Sequence, residues 1–272
     1  MTAPARLDDR TILALSGPEA RSFLQGLITN DVEKLGTDAP LYAALLTPQG
    51  KILFDFFLVE NPEGIWLDCA SATADLLLKR LSLYRLRAKI DIARRDDLAI
   101  LAAWDGTALP EPGWTDPRLA ALGQRVVLAA DTMPADAWST DAYTGHRLML
   151  GVPESADFGQ DKMFALDAGL AELHGVAFDK GCYVGQELTA RMKHRGTARK
   201  RLLSVVALNG STLLTSGVSV TAGGRELGAV NSAYGARGFA LIRLDRLDET
   251  GDAPVEAGGI SITIERPVWL FP

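Results

Sequence analysis

At 272 residues, with 47% hydrophobic and 23% charged, the chain can bury a sizeable core as one large domain or two ordinary ones. Its formal net charge of −6 repels DNA and anionic lipid, which disfavours nucleic-acid binding. Residues 1–9 turn acidic without the apolar core of a secretory signal, and no run approaches the roughly 18–20 apolar residues of a membrane span. A cytoplasmic protein, off the membrane, is the expectation.

In chain order, the first predicted element is a helix over 16–28, with Ser16 as a cap, Pro18 in the first turn and Ala20, Phe23, Leu24, Leu27 and Ile28 on one stripe. Strands over 41–46 and 51–59 follow, joined through Thr47-Pro48-Gln49-Gly50 as a hairpin, then a strand over 65–69 and a helix over 73–87. Strands are predicted over 89–93, 98–104 and 124–130, with a proline- and glycine-rich surface excursion over 105–117. Helices are predicted over 140–150 and 163–173. Antiparallel strands with intervening helices read as α+β rather than a doubly wound parallel sheet. Beyond residue 197 the runs 201–208, 218–221, 226–233, 239–244 and 260–265 are short, β-rich and divided by glycines, as in a small antiparallel barrel. The domain division is therefore predicted as 1–196 and 197–272.

Cys69 and Cys182, the two cysteines, lie far apart and lack the close Cys or His neighbours of a zinc or cluster motif. No metal site is expected, and the chain is not expected to hold an iron–sulfur cluster by itself. The segment 178–191 nonetheless brings Lys180, Cys182, Gln186, Glu187 and Arg191 within a dozen residues, with Gly181 and Gly185 permitting tight turns. A helix from Gly185 sets Glu187 and Arg191 four apart on one face. Cys182 then precedes a helix N-terminus with Lys180 nearby, a setting that favours thiolate. The plainer alternatives are a buried, inert cysteine and a solvated Glu/Arg brace. Arg191, Lys193, Arg195, Arg199, Lys200 and Arg201 form an acid-free cationic stripe, either a lure for an acidic ligand or partner or a solvated linker.

The run Lys180-Gly181-Cys182-Tyr183-Val184-Gly185-Gln186-Glu187 resembles the signature of the YgfZ-type folate-binding proteins, relatives of the T protein (aminomethyltransferase) of glycine cleavage. Mitochondrial counterparts of that family assist late iron–sulfur cluster assembly. Phe23-Leu24-Gln25-Gly26 with Thr29-Asn30-Asp31, the hairpin Leu46 through Lys51, and Gly151-Val152-Pro153-Glu154 resemble its N-terminal half, so the likeness spans nearly the whole chain.

The resemblance implies a folate-binding, T-protein-like unit of ferredoxin-like sub-structures with the barrel packed beside a central cleft. It also implies tetrahydrofolate as cofactor and iron–sulfur client or assembly proteins as partners, while nothing in the sequence demands more than a monomer. It makes Lys180 and Cys182 the reacting groups, with Tyr183, Gln186, Glu187 and Arg191 shaping the ligand side of their loop. Replacing Lys180 or Cys182 by Ala is then expected to leave the fold intact.

Asp167, in Phe164-Ala165-Leu166-Asp167-Ala168-Gly169-Leu170, stands where the family has a pterin-binding glutamate. A carboxylate suits the parallel N–H donors of the pterin. At the hairpin, Phe54 replaces one of the T protein's paired aspartates while Asp55 remains, which weighs against ordinary aminomethyl transfer; alternation within the strand would instead make Asp55 solvent-facing. Asn30 reads as a ligand contact or a turn residue, and Arg147 as a folate-carboxylate fork or a backbone brace. Three functions stand open: a folate-dependent iron–sulfur accessory factor, a one-carbon transferase, and a scaffold without folate.

Overall fold

The computed structural model describes residues 3–196 and 199–271. In chain order its elements are β1 (Ala5–Arg6), β2 (Arg10–Ser16), α1 (Ala20–Gln25), β3 (Leu41–Leu46), β4 (Ile52–Asn61), β5 (Gly64–Ala70) and α2 (Ala74–Arg85). Then come β6 (Asp91–Arg95), β7 (Leu98–Ala103), β8 (Trp114–Thr115), β9 (Gln124–Ala129), α3 (Thr140–Met149) and α4 (Gln186–Arg195). The last strands are β10 (Lys200–Ala207), β11 (Ser219–Ala222), β12 (Arg225–Tyr234), β13 (Arg237–Arg243), β14 (Val255–Ala257) and β15 (Ile260–Glu265).

A five-stranded antiparallel sheet, ordered β3-β4-β5-β2-β6, carries α1 and α2 on one face. Leu13, Leu15, Phe56, Leu58 and Leu67 pack there against Leu24, Leu77 and Leu81. The alternate residues Ile12, Tyr42, Ala44, Phe57 and Val59 form the opposite face, where they meet Ile100 and Ala102 of a second sheet, β1-β7-β9-β8, together with Tyr143 and Leu148 of α3. Covering both faces explains why β4 is almost uninterruptedly apolar.

Strands β10-β13-β12-β11-β14-β15 close into a barrel, since β15 pairs back onto β10. Leu203, Val205, Val220, Leu227, Val230, Ala240 and Ile242 fill its core. Leu202 and Phe239 face the main core of the first lobe, and Trp269 Nε1 donates to the Leu150 carbonyl (3.0 Å), which docks the two lobes together.

The α+β fold with its terminal barrel is as predicted, with differences of detail that include the short, unpredicted strands β1, β8 and β14. The helix over 16–28 contracts to Ala20–Gln25, because Gly17 sits at φ +107° where any Cβ would come within 2.4 Å of the Lys89 carbonyl. The helix over 163–173 is absent; Asp161 and Met163 instead pair with Ile52 at the start of β4, and hydrogen-bonded turns follow. Its apolar residues, Met163, Ala165, Leu166, Ala168 and Leu170, are buried on all sides, so their spacing reflected burial and not a helical stripe. Strand β2 is a further difference, a continuous apolar run missed for want of alternation. The predicted boundary falls at residues 197 and 198, which lie outside the described residues.

Candidate functional site

Single charges set into apolar strands converge between the two sheets. Arg10 Nε donates to Asp68 Oδ1 (2.7 Å) and Arg125 Nη2 to Asp68 Oδ2 (2.7 Å). Arg118 grips both oxygens of Asp116 (3.0 and 2.8 Å) and reaches Glu154 Oε2 (2.7 Å). Arg147 Nη1 donates to Asp157 Oδ2 (2.7 Å) and the Val152 carbonyl (2.7 Å). The Arg10, Arg118 and Arg125 guanidiniums also lie 5.5, 4.7 and 4.5 Å from the Phe57 ring centroid. Burial alone would raise the Asp68 carboxyl, but Arg10 and Arg125 override it and hold it below the usual carboxylate range; Arg147 and Arg118 do the same for Glu154.

Asp55 ends this network and is buried, not solvent-facing as strand alternation suggested. Its Oδ1 accepts from the Ser155 N–H (3.1 Å) and hydroxyl (2.9 Å), and its Oδ2 from the Tyr42 hydroxyl (3.1 Å). Burial pushes the Asp55 carboxyl up, with Arg10 opposing. Ser155 holds it from a strained backbone, φ +34°.

A cavity of about 240 Å³ opens beside this carboxylate, walled by Phe54, Asp55, Arg147, Glu154, Ser155 and, from barrel strand β12, Tyr234. Arg147 Nε, buried there, makes no hydrogen bond among the described residues but lies 3.3 Å from Glu154 Oε1 as an ion pair. Asp157 ties the lobes at the cavity rim, accepting from the Ser232 hydroxyl and from the Tyr234 hydroxyl (3.1 Å).

The loop before α4 lies apart from this cavity, and none of residues 178–187 lines it. Lys180 is buried and donates to three carbonyls at and beyond the end of α1: Gln25 (2.9 Å), Ile28 (2.8 Å) and Asn30 (2.7 Å). Burial pushes its amine down to about 8, with Asp31 opposing. The ammonium that spacing set beside Cys182 therefore serves as a clamp on the end of α1. Lys180→Met would strand three carbonyls, each unmade bond costing about 1 kcal/mol or more, so the variant should lose roughly 2–4 kcal/mol in urea denaturation. The same measurement tests the expectation that Lys180→Ala leaves the fold intact.

Gly185 fixes the other end of the loop at φ +85°, where a Cβ would meet the Thr47 carbonyl at 2.6 Å and Leu46 Cβ at 2.9 Å, so the loop is wedged against the β3–β4 hairpin. Between these anchors Cys182 is exposed, whereas Cys69 is buried, with burial pushing its thiol up to about 12. Tyr183 is not at a ligand surface: it packs in the main core beneath Lys180, 5.2 Å from Nζ, and burial pushes its phenol up to about 12. Glu187 and Arg191 form the plain surface brace, 2.9 Å apart with side chains 86% and 52% exposed. Gln186 opens α4, half-buried. Asn30 uses its whole amide on the backbone of Tyr42, His174 and Asp31, as a turn residue does.

Asp167 lies at the seam between the lobes, where its carbonyl accepts from the Leu202 N–H (2.8 Å), and it too is absent from the cavity lining. Only 7% exposed, it is pushed up to about 6 by burial, with Arg201 and Lys200 opposing. The folded state thus keeps a proton that the unfolded chain releases near pH 4, and stability falls as pH rises from about 4 to 6. Asp167→Asn should remove that slope and raise stability at pH 7 by about 2 kcal/mol, read from urea curves at pH 4.5 and 7.

Residues 199–272 match the family model described as the CAF17 C-terminal beta-barrel domain. The human mitochondrial iron–sulfur cluster assembly factor IBA57 is 36% identical, over 89% of this chain and 78% of its own. This chain belongs to the IBA57 family of iron–sulfur cluster assembly factors. The mouse member is 34% identical over 97% of this chain and 84% of its own, and the Coccidioides immitis (strain RS) homologue 30% over 97% and 82%. The glycine cleavage system aminomethyltransferase T from Bartonella henselae shares the fold, with a TM-score of 0.76 at 17% identity over 98% of this chain and 85% of that one.

All three sequence relatives are named as mitochondrial proteins, which overturns the cytoplasmic expectation. An apolar h-region marks secretory signals alone. Mitochondrial presequences are amphipathic and arginine-rich, so the absence of such a region does not address them.

Proposed function

We propose that this family member serves iron–sulfur cluster assembly as a tetrahydrofolate-binding factor, with the cavity beside Asp55 as the folate seat and exposed Cys182 as the point that meets a client or assembly protein. The observation that carries the folate part is the cavity at the lobe junction, where carboxylates and Arg147 face an apolar wall. Ile52, Leu53, Phe54 and Tyr234 suit a flat heteroaromatic ring, and Asp55 and Glu154 suit its N–H donors. Its 240 Å³ is below the roughly 300–1,000 Å³ of ordinary ligand sites, so the lining fits a pteridine head with the glutamate tail in the mouth. Bound there, a reduced folate supplies a carrier for a one-carbon unit.

Iron–sulfur clusters take several thiolate-type ligands. Among the described residues no group of three or more His, Cys, Asp or Glu is placed to hold a metal ion. A cluster reached through Cys182 therefore draws its remaining ligands from another protein, and a partner belongs to the proposal.

Calorimetric titration of the chain with tetrahydrofolate tests the folate part. Binding should be measurable in the micromolar range and abolished by Ala156→Trp, which fills the exposed cavity wall without touching the buried network. Absence of binding at high micromolar concentration, or binding unchanged in Ala156→Trp, refutes that seat and favours a scaffold. One observation favours a second reading, a folate-dependent one-carbon transferase: Asp55 keeps a raised carboxyl inside the cavity. Phe54 opposes it, since its ring can neither accept nor deliver a proton. Steady formation of methylenetetrahydrofolate from aminomethyl donors would establish the transferase.

A further inference from the structure

Helix α2 turns its buried face, Ala74, Leu77 and Leu81, onto the five-stranded sheet. Its opposite side is not the usual polar surface. Leu76 and Leu83 are 53% and 63% exposed and lie two helical turns apart, and Leu86, just past the helix end, is 87% exposed. Lys79 and Arg80 sit beside these leucines on the helix and Arg87 follows the helix end, all exposed. Residues 76–90 contain five cations and no acid, in a chain whose net charge is −6. Arg85 leans toward Asp91 (3.8 Å), while Lys79, Arg80 and Arg87 make no ion pair among the described residues. Leu86 adopts φ +46°, which glycine would adopt without strain, yet a large apolar side chain stands there.

We propose that this face of α2 is a docking surface for an acidic amphipathic helix of a partner protein, separate from the Cys182 loop. Leu76 and Leu83 form a two-turn seam that a second helix can interleave, and the exposed Lys79, Arg80 and Arg87 beside it select a partner that carries carboxylates. A bilayer fits less well, because it needs an apolar face divided from the charged one, and here Lys79 lies within the leucine stripe. A second copy of the chain fits less well too, since a two-fold contact would set the same cations against each other.

The probe is a fluorescent three-heptad peptide with Leu at a and d and Glu at e and g; a matched peptide with Lys at e and g and vesicles containing anionic phosphatidylglycerol are the controls. Anisotropy should show the acidic peptide binding the full chain, more weakly as salt rises. Leu83→Asp should lower the affinity by about tenfold or more. Leu86→Gly should weaken binding while keeping or raising the thermal midpoint, a split that a purely structural leucine would not give. The double variant Arg80→Glu, Arg87→Glu should shift preference to the lysine peptide, and Cys182→Ser should bind as the parent does, so this test stands apart from the folate and thiol proposals. The inference is overturned by an absence of binding, by equal binding of both peptides, by affinities indifferent to these α2 variants, or by vesicle binding that depends on the same leucines.

Discussion

Asp68→Ala should lower stability by about 3–5 kcal/mol. Asp68 is fully buried on β5 and receives Arg10 on one oxygen and Arg125 on the other, both at 2.7 Å. Its removal leaves two guanidiniums in a dry interior, and the Phe57 face is a weak substitute for a carboxylate. For a chain of this size the thermal midpoint should drop by roughly 10 °C, which circular dichroism reads directly. The acid limb gives an independent check. Because the folded Asp68 carboxyl is depressed, its stabilising effect is complete above the unfolded carboxylate range, near pH 4, and fades as pH falls through the lower folded value. The parent should therefore lose stability in acid more steeply than Asp68→Ala. Unfolding curves that coincide at pH 7 would mean the pair does not hold the sheets together.

Cys182→Ser should give the largest functional loss with no structural one. The thiol is exposed and makes no hydrogen bond among the described residues, so its exchange for a hydroxyl removes no packing. In cells lacking the parent protein, the variant should restore iron–sulfur enzyme activity no better than an empty vector, while its thermal midpoint matches the parent's. Full restoration would remove the thiol from the function and leave the loop a structural motif. Lys180→Met makes the useful contrast, since its effect should follow lost stability and loop order.

Much of the architecture was readable. The Thr47–Gly50 hairpin, α2 and the glycine-divided barrel strands follow from period and turn residues, and the eight-residue motif marked the loop that presents Cys182. What escaped were features that periodicity does not encode. Strand β2 has both faces covered, so Ile12, Leu13 and Leu15 show no alternation, and nothing in the run singles out Arg10. Arg118, Arg125, Asp68 and Asp116 left one trace, a lone charge within or beside a short apolar run, and such a trace names no partner. Lys180 looked reactive because chain proximity to Cys182 was visible and the three carbonyls 150 to 155 residues earlier were not. The resemblance set Asp167 at the pterin and Asp55 at the transfer step; in the structure Asp55 lines the cavity and Asp167 does not.

Counting reactive thiols in the native protein is the most direct trial of the proposal that function passes through an outward-facing Cys182. Under native, reduced conditions a chromogenic disulfide reagent should modify one thiol quickly, and Cys182→Ser should abolish that phase. Cys69 should react after denaturation alone, because it is buried, its Sγ lies 3.7 Å from the Thr11 carbonyl, and burial raises its thiol to about 12. A native protein in which Cys182 resists the reagent, or in which Cys69 reacts first, would contradict the account.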